Sequence, residues 1–116
     1  MANGVLLGDD GNVYRLDADY VIGREPITLP GNARPIVLSG NTSGVSRHHA
    51  RISVERSRVC VTDLGSTNGT FLLLPDAAQP RLVAAGESVD IPPGTQIMLA
   101  KRSFYYESLG DFRQRG

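Results

Sequence analysis

The sequence predicts an all-β fold, an antiparallel β-sandwich of short strands. Three observations carry this reading. Ala50, Ile52 and Val54 alternate with Arg51, Ser53 and Glu55, the two-residue period of a strand buried on one face. Around ten short apolar runs of this kind are separated by turn formers, with 13 glycines and 7 prolines spread along 116 residues rather than clustered in a linker. No segment carries the 3.6-residue period of an amphipathic helix.

The elements follow in order. Val5 to Leu7 is a first strand, closed by the turn cluster Gly8-Asp9-Asp10-Gly11-Asn12. Val13 to Leu16 and Asp19 to Ile22 are the next two. Gly31-Asn32 and Pro35 break the chain before Ile36-Val37-Leu38, and Ser39 to Gly44 is a polar loop. Ala50 to Glu55 and the run around Val59 and Val61 form a pair. Thr70 to Leu74 follows the Asn68-Gly69 dipeptide, which between two apolar runs is a strong hairpin signal. Pro75 to Pro80 is a loop. Arg81 to Val83, Ser88 to Ile91, Gln96 to Ala100 and Ser103 to Tyr106 complete the set, with Gly86 and Pro92-Pro93-Gly94 between them. There is no internal repeat and no low-complexity tract. The length suits one domain, expected over residues 1–109, with Gly110 to Gly116 as a polar, frayed tail or the start of a linker.

Composition narrows the function. Twelve basic and twelve acidic residues cancel, which argues against a general nucleic-acid or membrane-surface binder. The bases are arginine except for Lys101, a bias that fits the base composition of a GC-rich bacterial genome. Met1-Ala2-Asn3-Gly4 opens no basic-then-apolar leader, and no apolar run is long enough to span a membrane. The expectation is therefore a cytoplasmic domain or protein, without membrane insertion. Cys60 is the only cysteine, so it forms no internal disulfide. Within Val59-Cys60-Val61 it reads as a buried structural thiol.

Catalytic chemistry finds little support. His48 and His49 are adjacent, so on an extended chain they face opposite ways and do not share a metal ion. Ser46 and His49 lack a nucleophile elbow and a third, acidic partner. No phosphate-cradling glycine loop or dinucleotide fingerprint is present. The chain is read as a non-enzyme with no cofactor.

Binding chemistry finds more. Gly23-Arg24 ends the apolar Val21-Ile22 run, and a strand-end glycine permits a turn and a close approach. Arg24 and Arg47 supply guanidinium forks, and Ser46 and Thr67 supply hydroxyl donors, a set suited to phosphate. Asn68 adds an amide that both donates and accepts, as recognition of a peptide backbone requires. His49 reads as a buried histidine bonded to backbone, bracing the loop that aims Ser46. His48 reads as exposed. Asp63 reads as a local brace for the turn that follows it.

Three blocks in this order resemble the signature of the forkhead-associated (FHA) domain: Val21-Ile22-Gly23-Arg24-Glu25, Val45-Ser46-Arg47-His48-His49-Ala50, and Asp63-Leu64-Gly65-Ser66-Thr67-Asn68-Gly69-Thr70. The resemblance covers nearly the whole chain. It implies a sandwich of eleven strands with binding loops at one end, and recognition of phosphothreonine peptides downstream of a Ser/Thr protein kinase. It implies that Arg24 grips the phosphate and that Ser46 bonds its oxygens. Arg47 would contact phosphate or peptide backbone, Thr67 would sit beside the phosphate, and Asn68 would hold the peptide main chain. Gly23, His49 and Gly69 correspond to positions that shape the loops. A small pocket for the threonine methyl would favour phosphothreonine over phosphoserine, as the family usually does. The sequence departs from the family in its proline-bearing Glu25 to Gly44 segment (Pro26, Pro30, Pro35) and in Gly86-Glu87, where members often have Gly-Asp. The rival reading is a phospho-independent interaction, oligomerisation or autoinhibitory domain of a larger protein.

Overall fold

The computed structural model describes residues 4–27 and 31–114. Met1 to Asn3, Thr28 to Pro30, Arg115 and Gly116 lie outside them. Eleven strands are present: β1 (Gly4–Gly8), β2 (Val13–Arg15), β3 (Tyr20–Gly23), β4 (Arg34–Val37), β5 (Ala50–Glu55), β6 (Arg58–Asp63), β7 (Thr70–Leu73), β8 (Arg81–Val83), β9 (Ser88–Ile91), β10 (Gln96–Leu99) and β11 (Arg102–Ser108), followed by the helix α1 (Leu109–Gln114). They form two sheets, one of six strands in the order β2-β1-β11-β10-β7-β8 and one of five in the order β4-β3-β5-β6-β9.

The two-residue period places every second side chain between the sheets. Leu6, Leu72, Ile97 and Phe104 from one sheet meet Ile22, Ile52, Val59 and Val61 from the other, all at most 2% exposed. Each large aliphatic chain buried in this way contributes roughly 1.5–3 kcal/mol relative to exposure. Tight hairpins join β5 to β6 through Arg56-Ser57 and β10 to β11 through Ala100-Lys101. Arg56 and Ala100 adopt left-handed backbone with φ of 57° and 55°.

Four expectations are corrected. The Asn68-Gly69 turn does not make a hairpin: β6 pairs with β5 and β9, whereas β7 pairs with β10 and β8, so residues 64–69 carry the chain from one sheet to the other. The sandwich is not wholly antiparallel, because β3 and β4 run parallel. Pro35 lies inside β4 rather than before it, tolerated because β4 is an edge strand on which a missing N–H leaves no ladder partner unsatisfied. The expected frayed tail is helical through Gln114. Ser108 Oγ accepts the Asp111 N–H at 3.2 Å, and Asp111 favours the positive end of the helix. At six residues the helix is too short to show periodicity, but Ser108-x-x-Asp111 is a capping signature. It packs on β1 and β11.

Cys60 is also corrected. It is half-buried rather than buried, with its Sγ donating to Asp90 Oδ1 at 2.7 Å while Arg58 binds Oδ2. Burial, followed by the neighbouring Asp90 carboxylate, pushes its pKa up to about 11.

Candidate functional site

Three segments meet at one end of the sandwich: the end of β3, the loop between β4 and β5, and the crossover between β6 and β7. Gly23 shows how closely they approach. A Cβ at Gly23 would lie 1.8 Å from the carbonyl oxygen of Arg47. Because that position is empty, the Ser46–His49 backbone zips onto β3: Arg24 N–H donates to Ser46 O (3.1 Å), Glu25 N–H to Arg47 O (3.3 Å) and His49 N–H to Ile22 O (2.8 Å). The glycine therefore admits the protein's own backbone, not a ligand, and fixes Arg24 opposite Ser46.

His49 is the node of the loops. It is fully buried. Its Nδ1 accepts the Ser46 N–H at 3.1 Å, which makes Nε2 the protonated nitrogen, donating to Gly69 O at 2.9 Å. Its own carbonyl accepts the Leu64 N–H at 3.0 Å. One imidazole thus joins the loop before β5 to the crossover. His48 is partly buried.

The crossover is organised from within by Asp63. Its Oδ2 accepts the N–H groups of Gly65 and Ser66 at 3.1 and 3.0 Å. Its Oδ1 accepts the hydroxyls of Ser66 and Thr70 at 2.6 and 2.7 Å. Burial, the largest influence on this carboxyl, pushes its pKa up. The hydrogen bonds from Ser66 and Thr70 together outweigh burial and hold the pKa below the ordinary 3.8. The Ser66 hydroxyl also accepts the Gly69 N–H at 2.9 Å, so it serves the turn and not the surface. Gly69 takes φ +86°, which a side chain would strain.

These braces leave an open recess of about 590 Å³ lined by Arg24, Ser46, Arg47, Thr67 and Asn68 together with the Thr42–Val45 backbone stretch. The five residues singled out as binding candidates are therefore brought together. Gly23, His49 and Gly69 lie behind them. Among the described residues, two cations and no acid line the recess. Arg24 spends its Nε on Val45 O at 3.1 Å. Arg47 stands 3.6 Å from Glu25, an exposed pair of little strength. Asn68 donates one amide hydrogen to Gly44 O at 2.9 Å, which leaves its other N–H and its Oδ1 unused within that contact.

Two contributors escaped the sequence reading. Gly44 holds φ +83°, and a Cβ there would lie 3.1 Å from both Asn68 Nδ2 and the Ala100 methyl. The Asn41-Thr42-Ser43-Gly44 turn composition was its signal. Asn41 Oδ1 accepts the Ser43 N–H, and Thr42 O accepts the Val45 N–H. The second is Arg102. Its guanidinium grips Asp9 and donates to the carbonyls of Ser39 and Asn41, tying the loop that lines the recess to the sheet. The hydrogen bond from Arg102 is the main reason the Asp9 pKa lies below the usual carboxylate value. No local pattern announces this contact, since the partners are 93 residues apart.

Among the described residues no group of His, Cys, Asp and Glu is placed to hold a metal ion, and no helix is long and apolar enough to cross a membrane.

The comparisons agree with this architecture. The FHA domain family model matches residues 20–100. Mycobacterium tuberculosis EmbR, solved in complex with a low-affinity phosphopeptide, is 26% identical with a TM-score of 0.68 over 92% of this chain, which spans 25% of that one. The FhaA FHA domain, solved with the intracellular domain of Rv3910, is 26% identical with a TM-score of 0.61, covering 89% of this chain and 98% of that one. The FHA domain of human APLF, in complex with an XRCC1 bisphospho peptide, shares the fold at 24% identity and a TM-score of 0.71, covering 91% and 99%. No curated protein matches the chain. The family match spans more than half of the sequence, from β3 to the end of β10, and the eleven strands form the same sandwich, so the chain belongs to the FHA domain family.

Proposed function

We propose that the recess binds phosphothreonine in a partner protein phosphorylated by a Ser/Thr kinase, and that the chain acts as a non-enzymatic interaction module in the cytoplasm. The observation that supports this most is the convergence of Arg24, Ser46, Arg47 and Thr67 on one acid-free recess. The family relationship adds to it, as do the solved relatives that carry phosphopeptides. Arg24 and Arg47 supply charge, and Ser46 a hydroxyl proton, its oxygen accepting the Thr67 N–H. The free groups of Asn68 suit one peptide unit of the ligand. Each charge-assisted hydrogen bond contributes roughly 1.5–3 kcal/mol. Three or four of them, less the cost of ordering a flexible peptide, give a Kd near about 1 μM.

Titration with threonine peptides, phosphorylated and not, is the test. Binding of the phosphorylated set alone, reduced at least tenfold by Arg24→Ala, is the expected result. Equal binding of both sets would leave the phospho-independent reading in its place. Loss of phosphate from the peptide during the titration would revive an enzymatic one.

A further inference from the structure

The two sheets present different outer faces. That of the five-stranded sheet is polar, with Arg51, Ser53 and Glu55 from β5, Arg58 and Thr62 from β6 and Asp90 from β9. That of the six-stranded sheet is apolar. The register sets Val13, Leu7, Tyr105, Gln96 and Leu73 side by side across five strands. Two residues along, Ser103, Met98, Phe71 and Leu82 form a second row. Their neighbours in sequence, among them Leu6, Leu72, Ile97 and Phe104, fill the core, so both rows point away from it. Among the described residues, no charged side chain falls in either row. At one end of this face α1 packs on β1 and β11, where Val5 is buried. Beyond it the face is open: Val13 is 47%, Tyr105 39% and Leu82 55% exposed. A contiguous apolar patch of this kind marks a contact surface.

We infer that this face pairs with the same face of a second copy of the chain, about a two-fold axis near Tyr105, the middle residue of the first row. Charge and shape select that occupant. Neither row carries a charge that would select an oppositely charged partner. The chain holds 12 basic and 12 acidic residues, so two copies meet without net repulsion. Twisted sheets stack face to face about 10 Å apart with their strands inclined by about 30°, and two copies share the same twist. A two-fold contact also sets a patch against itself, which an uncharged apolar face tolerates and a charged one does not. The area sets the strength. Six strands about 4.8 Å apart and two rows of side chains give roughly 400 Å² per copy, about half of the ~800 Å² in a standard interface. The pair is therefore reversible, with a Kd of about 10–500 μM. It needs neither the recess nor a phosphate.

Sedimentation equilibrium of the chain from about 5 μM to about 1 mM is the test. The mass is expected to rise from one chain to two across that range. Tyr105→Glu should raise the dissociation constant about tenfold or more, because two carboxylates then meet at the axis. An equimolar mixture of Tyr105→Glu and Tyr105→Lys should recover association. Tyr105 and Val13 are both exposed, so neither change removes core packing, and thermal denaturation checks that each variant folds. Val13→Lys is the second probe, at the edge of the same row. A chain that stays monomeric at about 1 mM overturns the inference and leaves the face to a different protein. An assembly that survives both Tyr105→Glu and Val13→Lys forms through another surface and overturns it as well. A mixture that fails to recover overturns the two-fold axis at Tyr105.

Discussion

The backbone N–H of Thr67 donates to the hydroxyl oxygen of Ser46 at 3.0 Å, joining two loops that are 21 residues apart in sequence. A hydroxyl has one proton to give and two lone pairs to receive. With Thr67 occupying a lone pair, the Ser46 proton is left to be offered into the recess beside Arg24. The bond also fixes the position of Thr67 relative to the cations. The same contact that joins the two loops thus closes one of the three directions around the Ser46 oxygen and leaves its proton the other two.

Ser46→Ala removes both roles. Phosphopeptide affinity is expected to fall by 10- to 100-fold, the equivalent of about 1.5–3 kcal/mol for a charge-assisted bond. Stability should fall by only about 1 kcal/mol, because the Thr67 N–H lies at an exposed loop and can turn to water. Calorimetric titration and denaturant unfolding separate the two effects.

Gly23→Ala places a methyl 1.8 Å from Arg47 O, a backbone atom that has no rotamer into which to escape. Either β3 or the Ser46–His49 segment must move. We expect a loss of about 3 kcal/mol or more in unfolding free energy, together with loss of binding. The control is Gly40→Ala, where φ is +75° but nothing lies within 4 Å. Only backbone strain of about 1 kcal/mol is expected there.

Arg102→Met keeps much of the aliphatic stem and cuts the clamp on Asp9, Ser39 and Asn41. Amide hydrogens in residues 39–44 should exchange faster, and phosphopeptide affinity should fall a few fold although Arg102 does not line the recess. Asp9→Asn should cost less on the Arg102→Met background than alone, since the two residues act as one unit. The expected loss of stability is about 1–2 kcal/mol.

Acid should weaken the crossover. The folded-state pKa of Asp63 lies below its ordinary 3.8, so its ionised form is favoured by folding. That contribution is fully present above 3.8 and is lost as pH falls below it through the folded value. Asp9 adds a contribution of the same sign, driven by Arg102. Unfolding free energy measured from pH 6 down to pH 2 should therefore drop in this lower window, and Asp63→Asn should flatten part of the drop. That substitution keeps a carbonyl oxygen for the N–H groups of Gly65 and Ser66 but puts an NH2 where the hydroxyls of Ser66 and Thr70 donate, at a cost of about 1–3 kcal/mol near neutral pH.

Cys60 should react slowly despite being partly exposed. Its pKa, pushed up to about 11 from 9.0, reduces the thiolate fraction about 100-fold at mildly alkaline pH. Alkylation by iodoacetamide should be slower than for a free thiol by that order. Asp90→Asn removes a carboxylate that disfavours the thiolate, and should speed the reaction.

The sequence by itself determined the strands and the residues of the candidate site. Alternation from Ala50 to Glu55 and the spread of turn formers are local properties, set by side-chain period and backbone freedom within a few residues. The Gly23-Arg24, Ser46-Arg47 and Thr67-Asn68 pairs were legible because each block carries its chemistry in adjacent positions. Sheet membership is not a local property. Asn68-Gly69 looked like a hairpin because its flanking runs are apolar, yet Asp63 and Ser66 consume the turn internally and β7 finds its partners in the other sheet. True two-residue hairpins formed at Arg56-Ser57 and Ala100-Lys101, which carry no such signal. Only the tertiary structure decided that Gly23 is empty for the sake of Arg47 O, that Arg102 reaches Asp9 across the chain, and that Leu82 is left uncovered beside Gly69. Those contacts depend on where distant strands come to rest, and packing across the whole sandwich sets that position.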